Sequence, residues 1–127
     1  MKQLRQIKEA ATSDTDGKLG DIGPLIERSH EVARLLKLLS NQKRLLILCR
    51  LAASGECAVH ELAEYVDLSQ SALSQHLAKL RKEGLVTFRR ESQVLYYSIG
   101  DANLRYLLTT LKEIHCPDPD LKKEKEK

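Results

Sequence analysis

Apolar residues between Leu25 and Leu39 recur at helical spacing, as Leu25, Val32, Leu35, Leu36 and Leu39, and predict a first amphipathic helix. Ser40 and Asn41 interrupt it. Leu45, Leu48, Cys49 and Ala52 follow at i, i+3, i+4 and i+7, a second helix ending near Gly55. Val59, Leu62, Ala63 and Val66 predict a short third helix, and Asp67 and Leu68 turn the chain. Ser69 is placed to cap a fourth helix, with Leu68 and Leu73 at the two staple positions around it. Leu73, Leu77 and Leu80 form its inner face, and Gly84 ends it. Beyond Gly84 the period falls to two. LVTFRR and VLYYSI predict strands joined by a hairpin turn in RESQ. Asp101 then caps a last helix with Leu104, Leu107, Leu108, Leu111 and Ile114 on one face. The pattern is mainly α with a small β-hairpin and has no internal repeat.

The flanks differ in character. Residues 1–24 are polar, hold Gly17, Gly20, Gly23 and Pro24, and predict a flexible N-terminal arm. Residues 117–127, PDPDLKKEKEK, predict a charged flexible tail after a helix stopped by proline. In each flank four basic residues balance four acidic ones, so the net charge of +3 falls on residues 25–116, as 13 Lys or Arg against 10 Asp or Glu.

At 127 residues, 42% hydrophobic but with only four Tyr and one Phe as aromatics, the chain predicts one domain with a thin aliphatic core. Pairing with a second copy is a natural way to bury more surface. No run of about 18 apolar residues suggests a membrane span. The N-terminus lacks the apolar centre of a signal peptide. The expected location is therefore cytoplasmic. In that reducing setting Cys49, Cys57 and Cys116 are thiols rather than a disulfide framework: buried, metal-binding or redox-active. An enzyme is not expected, because the sequence has no glycine-rich phosphate loop, no nucleophile–base pairing and no carboxylate cluster. No cofactor is expected either.

A short helix, a tight turn and a second helix form a helix-turn-helix, and a hairpin directly behind it makes a winged helix. Ser69, Gln70, Ser71, Ser74 and Gln75 lie at the cap and outward face of the second helix, with Ala78 beside them. Such residues suit a major groove: Gln pairs bidentately with adenine, Ser donates or accepts, and Ala meets a thymine methyl. Between Gln70 and Arg90 the basic residues Lys79, Arg81, Lys82, Arg89 and Arg90 face Glu83 alone, five positive charges against one negative. Lys79, Arg81 and Lys82 can reach phosphates at the helix end, and Arg89 and Arg90 can reach a backbone or minor groove from the wing. His76 falls on the inner side with Leu73, Leu77 and Leu80 and is expected to be interior. Tyr96 and Tyr97 are expected to be sheet and core residues. Double-stranded DNA is the expected partner.

The stretches LLKLLSNQKRLLIL, VHELAEYVDLSQSALSQHLAKLRKEGLV and VLYYSI resemble the ArsR/SmtB family of winged-helix repressors over most of residues 30–116. The resemblance implies a homodimer through the first and last helices, bound to an imperfect palindromic operator. Metal-sensing members carry two cysteines in the helix before the turn, or Asp/His and His/Glu pairs on the last helix. HELAEYVDL and DANLRYLLTTLKEIHC offer neither, so no metal site is expected, although Cys49, Cys116 and His115 leave a metal-responsive alternative open.

On its own, Cys49 in RLLILCRL reads as a packing residue on an apolar helix face, with a reactive thiol as the alternative. Together with Cys116 in EIHCP it resembles the pair that marks the subgroup containing BigR, SqrR, YgaV and HlyU. That resemblance implies a repressor whose operator affinity is switched by reactive sulfur species or oxidants, through a disulfide or polysulfide bridge between Cys49 and Cys116. It also leaves open an anti-silencing activator that displaces another DNA-binding protein. Cys57 has no counterpart in the pair and is expected to be a partly exposed bystander.

Overall fold

Leucine spacing and capping residues set the element boundaries in a computed structural model that describes residues 17–116. The flexible tail expected for residues 117–127, and residues 1–16 of the expected arm, lie outside the described residues. The chain divides into two units, at Asn41 and Gln42.

In the first unit the predicted helix is two helices, α1 (Gly23–Glu27) and α2 (Ser29–Leu39). Gly23 N–H donates to Asp21 Oδ1 at 2.9 Å and Pro24 occupies the first turn, so helix begins two residues before the predicted boundary. The break falls at Arg28. There the Ser29 hydroxyl donates to the Ile26 carbonyl at 2.8 Å, a local bond that competes with continuous helix. Leu38 and Leu39 are buried, whereas Leu25, Ile26 and Leu36 are exposed.

The second unit runs α3 (Gln42–Ser54), β1 (Cys57–Ala58), α4 (Val59–Val66), α5 (Gln70–Lys82), β2 (Val86–Glu91), β3 (Val94–Ile99) and α6 (Ala102–His115). The hairpin is not alone: β1 adds to it, giving an antiparallel sheet of order β1-β3-β2 with Cys57 opposite Tyr97 and Ala58 opposite Tyr96. A two-residue strand has too few positions to show a period, so nothing in the sequence marks it. The hairpin pairs Val86 with Ile99 through Glu91 with Val94. Its loop narrows to Ser92 and Gln93, with Ser92 in the left-handed region at φ 59°.

The turn between α4 and α5 is closed by backbone bonds. Leu68 N–H reaches the Ala63 carbonyl at 3.0 Å and Asp67 N–H the Glu64 carbonyl at 3.3 Å. Asp67 takes the left-handed conformation, φ 56°, that glycine more often supplies. α5 ends in the same way, with Gly84 (φ 77°) donating to Arg81 at 2.9 Å and Leu85 to Leu80 at 3.0 Å. At its start the Ser69 hydroxyl accepts the Ala72 N–H at 3.1 Å. Ser69→Ala is expected to cost about 1 kcal/mol of stability, read as a shift in urea midpoint at unchanged slope. Asp101 caps α6, accepting from Asn103 N–H at 2.8 Å and Leu104 N–H at 3.3 Å.

Ile47, Leu48, Leu51, Leu62, Leu73, Leu77, Leu80 and Leu104 have at most 1% of their surface exposed and form the centre of this unit. The face of α3 differs from the predicted one. Ile47, Leu48 and Leu51 point inward, while Cys49 is exposed. RLLILC is apolar nearly all round, so two stripes compete. The inward one is that which meets α4 and β3. α3 is further tied to its neighbours by Lys43 Nζ, 2.6 Å from the Val66 carbonyl at the end of α4, and by Arg105 of α6, 3.4 Å from the Ala52 carbonyl.

Candidate nucleic-acid interface and thiol pair

The outward face of α5 follows from its leucines. With Leu73, Leu77 and Leu80 buried, the helical period turns Gln70, Ser71, Ser74, Gln75 and Ala78 to solvent, and all five are exposed. Lys79, Arg81 and Lys82 are exposed on the last turn. Ser69 serves as the cap, and its hydroxyl stands 3.3 Å from that of Ser71. The Arg81 guanidinium lies 4.2 Å from the centre of the Phe88 ring, which joins the helix end to the wing and holds that charge in place. His76 is half-buried rather than interior. Burial lowers its imidazole pKa, and Arg44 and Lys79 lower it further.

The two wing arginines have different surroundings. Alternation places Val86, Phe88 and Arg90 on one face of β2 and Thr87, Arg89 and Glu91 on the other. Val86 is buried, and the Phe88 ring meets the buried Tyr97 ring at a tilt, centroids 5.4 Å apart, and carries Arg81 of α5 on its face, so Arg90 shares the α5 side. Arg89, opposite, donates from Nε and Nη2 to Glu56 at 2.8 and 2.9 Å and from Nη1 to Glu91 at 2.7 Å. Its guanidinium also lies 4.6 Å from the centre of the Tyr96 ring. These hydrogen bonds raise the Arg89 pKa above its ordinary value and lower that of Glu56. Sequence reasoning missed Glu56, since nothing links an acid before β1 to an arginine 33 positions on.

α3 and α6 pack against each other, so Cys49 and Cys116 come within electrostatic reach although 67 residues separate them in number (116 − 49). Both are exposed, Cys49 on the outer side of α3 and Cys116 at the end of α6. Partial burial of its sulfur raises the Cys49 pKa, and the proximity of Cys116 raises it again. Arg50, next to Cys49 in sequence, turns elsewhere: its guanidinium lies 4.5 Å from the centre of the Tyr65 ring and acts on Cys57. Cys57 is not the partly exposed bystander expected. It is 4% exposed, because β1 docks it beside β3. Burial and then Glu61 raise its pKa, with Arg50 opposing. Among the described residues no three His, Cys, Asp or Glu side chains are grouped so as to hold a metal, and no helix is long and apolar enough to cross a membrane.

Residues 41–87, which span α3 to the start of β2, match the model of the bacterial regulatory protein arsR family. The HTH-type transcriptional regulator YgaV of Escherichia coli is 41% identical over 97 residues, covering 76% of this chain and 98% of YgaV. The structure of reduced HlyU from Vibrio cholerae superposes with a TM-score of 0.68 at 40% identity, over 73% of this chain and 97% of HlyU. That of the transcriptional repressor BigR from Xylella fastidiosa gives 0.71 at 36% identity, over 77% and 99%. A helix-turn-helix with its wing, matched over nearly the full length of such relatives, means that the chain belongs to the ArsR family of bacterial regulatory proteins.

Proposed function

We propose that the protein is a cytoplasmic, homodimeric DNA-binding repressor whose operator affinity is switched by reactive sulfur species or oxidants through a bridge between Cys49 and Cys116. The observation that carries the switch is that α3 and α6 pack together with one exposed thiol on each, within electrostatic reach of one another. The exposed polar face of α5 and the cations around it support DNA as the ligand. Exposed Leu25, Ile26 and Leu36 in the first unit, and Ile114 on α6, support pairing through the first and last helices.

The chemistry balances simply. A thiolate attacks a polysulfide sulfur, a shorter sulfide leaves, and the second thiol closes on the persulfide. Closure at the cysteine sulfur, with displacement of sulfide, yields a disulfide; where the first thiol carries a longer sulfur chain, attack at an inner sulfur expels the terminal sulfide and leaves a polysulfide link. With peroxide the two thiols lose two electrons and two protons, and the O–O bond is reduced to two waters. A thiol with a raised pKa is less ionised at neutral pH than an ordinary one. Bridging should therefore accelerate as pH rises from 7 through the ordinary thiol value of 9.0. A bridge that draws α3 and α6 together in each protomer alters the spacing of two recognition helices, and half-sites one turn apart tolerate little change in that spacing.

The test is intact mass and peptide mapping of reduced protein before and after polysulfide or peroxide, with operator titration on the same samples. The expected result is a Cys49–Cys116 link, with or without added sulfur, and a loss of affinity that Cys49→Ser abolishes. Free thiols with unchanged DNA binding would remove the switch.

A further inference from the structure

Arg89 spans the whole sheet. In register, Arg89 of β2, Tyr96 of β3 and Ala58 of β1 stand side by side. The guanidinium lies over the Tyr96 ring at 4.6 Å and ends in a two-pronged bond to Glu56, the residue before β1. Glu91 holds its third bonding edge at 2.7 Å. β1 is only two residues long and leads without a linker into α4. Two ladder positions hold a strand weakly. A side chain that reaches across the central strand and grips the residue before β1 supplies what the ladder lacks.

We infer that Glu56, Arg89 and Tyr96 form a strap that fixes the wing relative to the helix-turn-helix, so that Arg89 is a positioning residue and Arg90 is the wing's phosphate contact. This rests on the reading of α5 and the wing as a DNA-binding face. Charge supports it: Arg89 is matched by Glu56 and Glu91. Releasing Arg89 to a phosphate would leave two carboxylates beside DNA. Arg90 lies on the other face of β2, the side on which Arg81 of α5 stacks on Phe88. Among the described residues no ion pair engages it.

The strap has a reporter independent of DNA. Cys57, the first residue of β1, is 4% exposed, and loosening β1 opens it. Iodoacetamide labelling of the full chain, with Cys57 resolved by peptide mapping, would be compared in wild type, Arg89→Gln, Glu56→Gln and Arg90→Gln. The first two variants should label Cys57 about threefold to tenfold faster, the range expected of an exposed ion pair and a cation–aromatic contact. Arg90→Gln should match wild type. The reciprocal exchange, Glu56→Arg with Arg89→Glu, should restore protection. On a random duplex, Arg90→Gln should lower the slope of log affinity against log salt by about one and Arg89→Gln should leave it unchanged. Unaltered Cys57 labelling in both Arg89→Gln and Glu56→Gln would overturn the strap. A slope reduced by about one in Arg89→Gln would overturn its assignment as a positioning residue. A wild-type chain that binds no duplex would defeat the DNA reading instead, with the labelling still deciding the strap.

Discussion

Leu73→Ala is expected to lower the unfolding free energy by about 2–5 kcal/mol, measured by urea denaturation at fixed protein concentration. Leu73 is fully buried, as are Leu77 and Leu80 on the same face of α5 and Leu62 of α4. Removing its isobutyl group takes away burial and leaves a hole that helices anchored at both ends close poorly. Ser69 holds one end of α5 and the Gly84 turn the other, so the helix has little freedom to slide into the space. A small domain has about 5–15 kcal/mol in all, so this one change removes a large part of it. Fixed concentration matters because an associating chain gains stability by mass action. A loss below about 1 kcal/mol would mean that α5 is not packed as described.

Gln75→Ala is expected to weaken operator binding by about 1–3 kcal/mol, roughly a tenfold to hundredfold loss, while binding to random duplex stays the same. Gln75 is exposed on the turn of α5 between Ser71 and Lys79 and packs no core. Its amide can donate and accept together toward one base edge. Lys82→Gln serves as the contrast, since a phosphate contact weakens operator and random DNA alike and lowers the salt slope by about one. Titrations of both variants on both duplexes at several salt concentrations separate the roles. Equal losses on the two duplexes for Gln75→Ala would remove it from base reading.

The elements that could be read in advance are those announced by repeating local signals. α5 is one: a serine cap, leucines at helical spacing and a glycine stop agree, and the boundaries follow. α3 is the instructive failure. Its period is ambiguous because Leu45, Leu46, Ile47, Leu48, Cys49 and Leu51 leave hardly any polar side, and only tertiary packing decides which stripe faces in. That choice turned Cys49 outward, where it can serve as a thiol rather than as core. The break at Arg28 and the strand at Cys57 escaped for a related reason, since each spans one or two residues and carries no period. For the site, the α5 face was legible because exposure follows from the leucines. The separation of Arg89 from Arg90 was not, because adjacent residues on a strand have opposite surroundings, and the partner of one lies far off in sequence.

The bond from Lys43 also ties α3 to the last carbonyl of α4, at Val66. Cys49 lies six residues, under two turns, along the same helix. Were the proposed bridge at Cys49 to roll this helix, Lys43 would roll with it and tug on the last carbonyl of α4, directly before the Asp67 turn. Under the proposed switch, the lysine would be the gear tooth between the thiol-bearing helix and the helix-turn-helix.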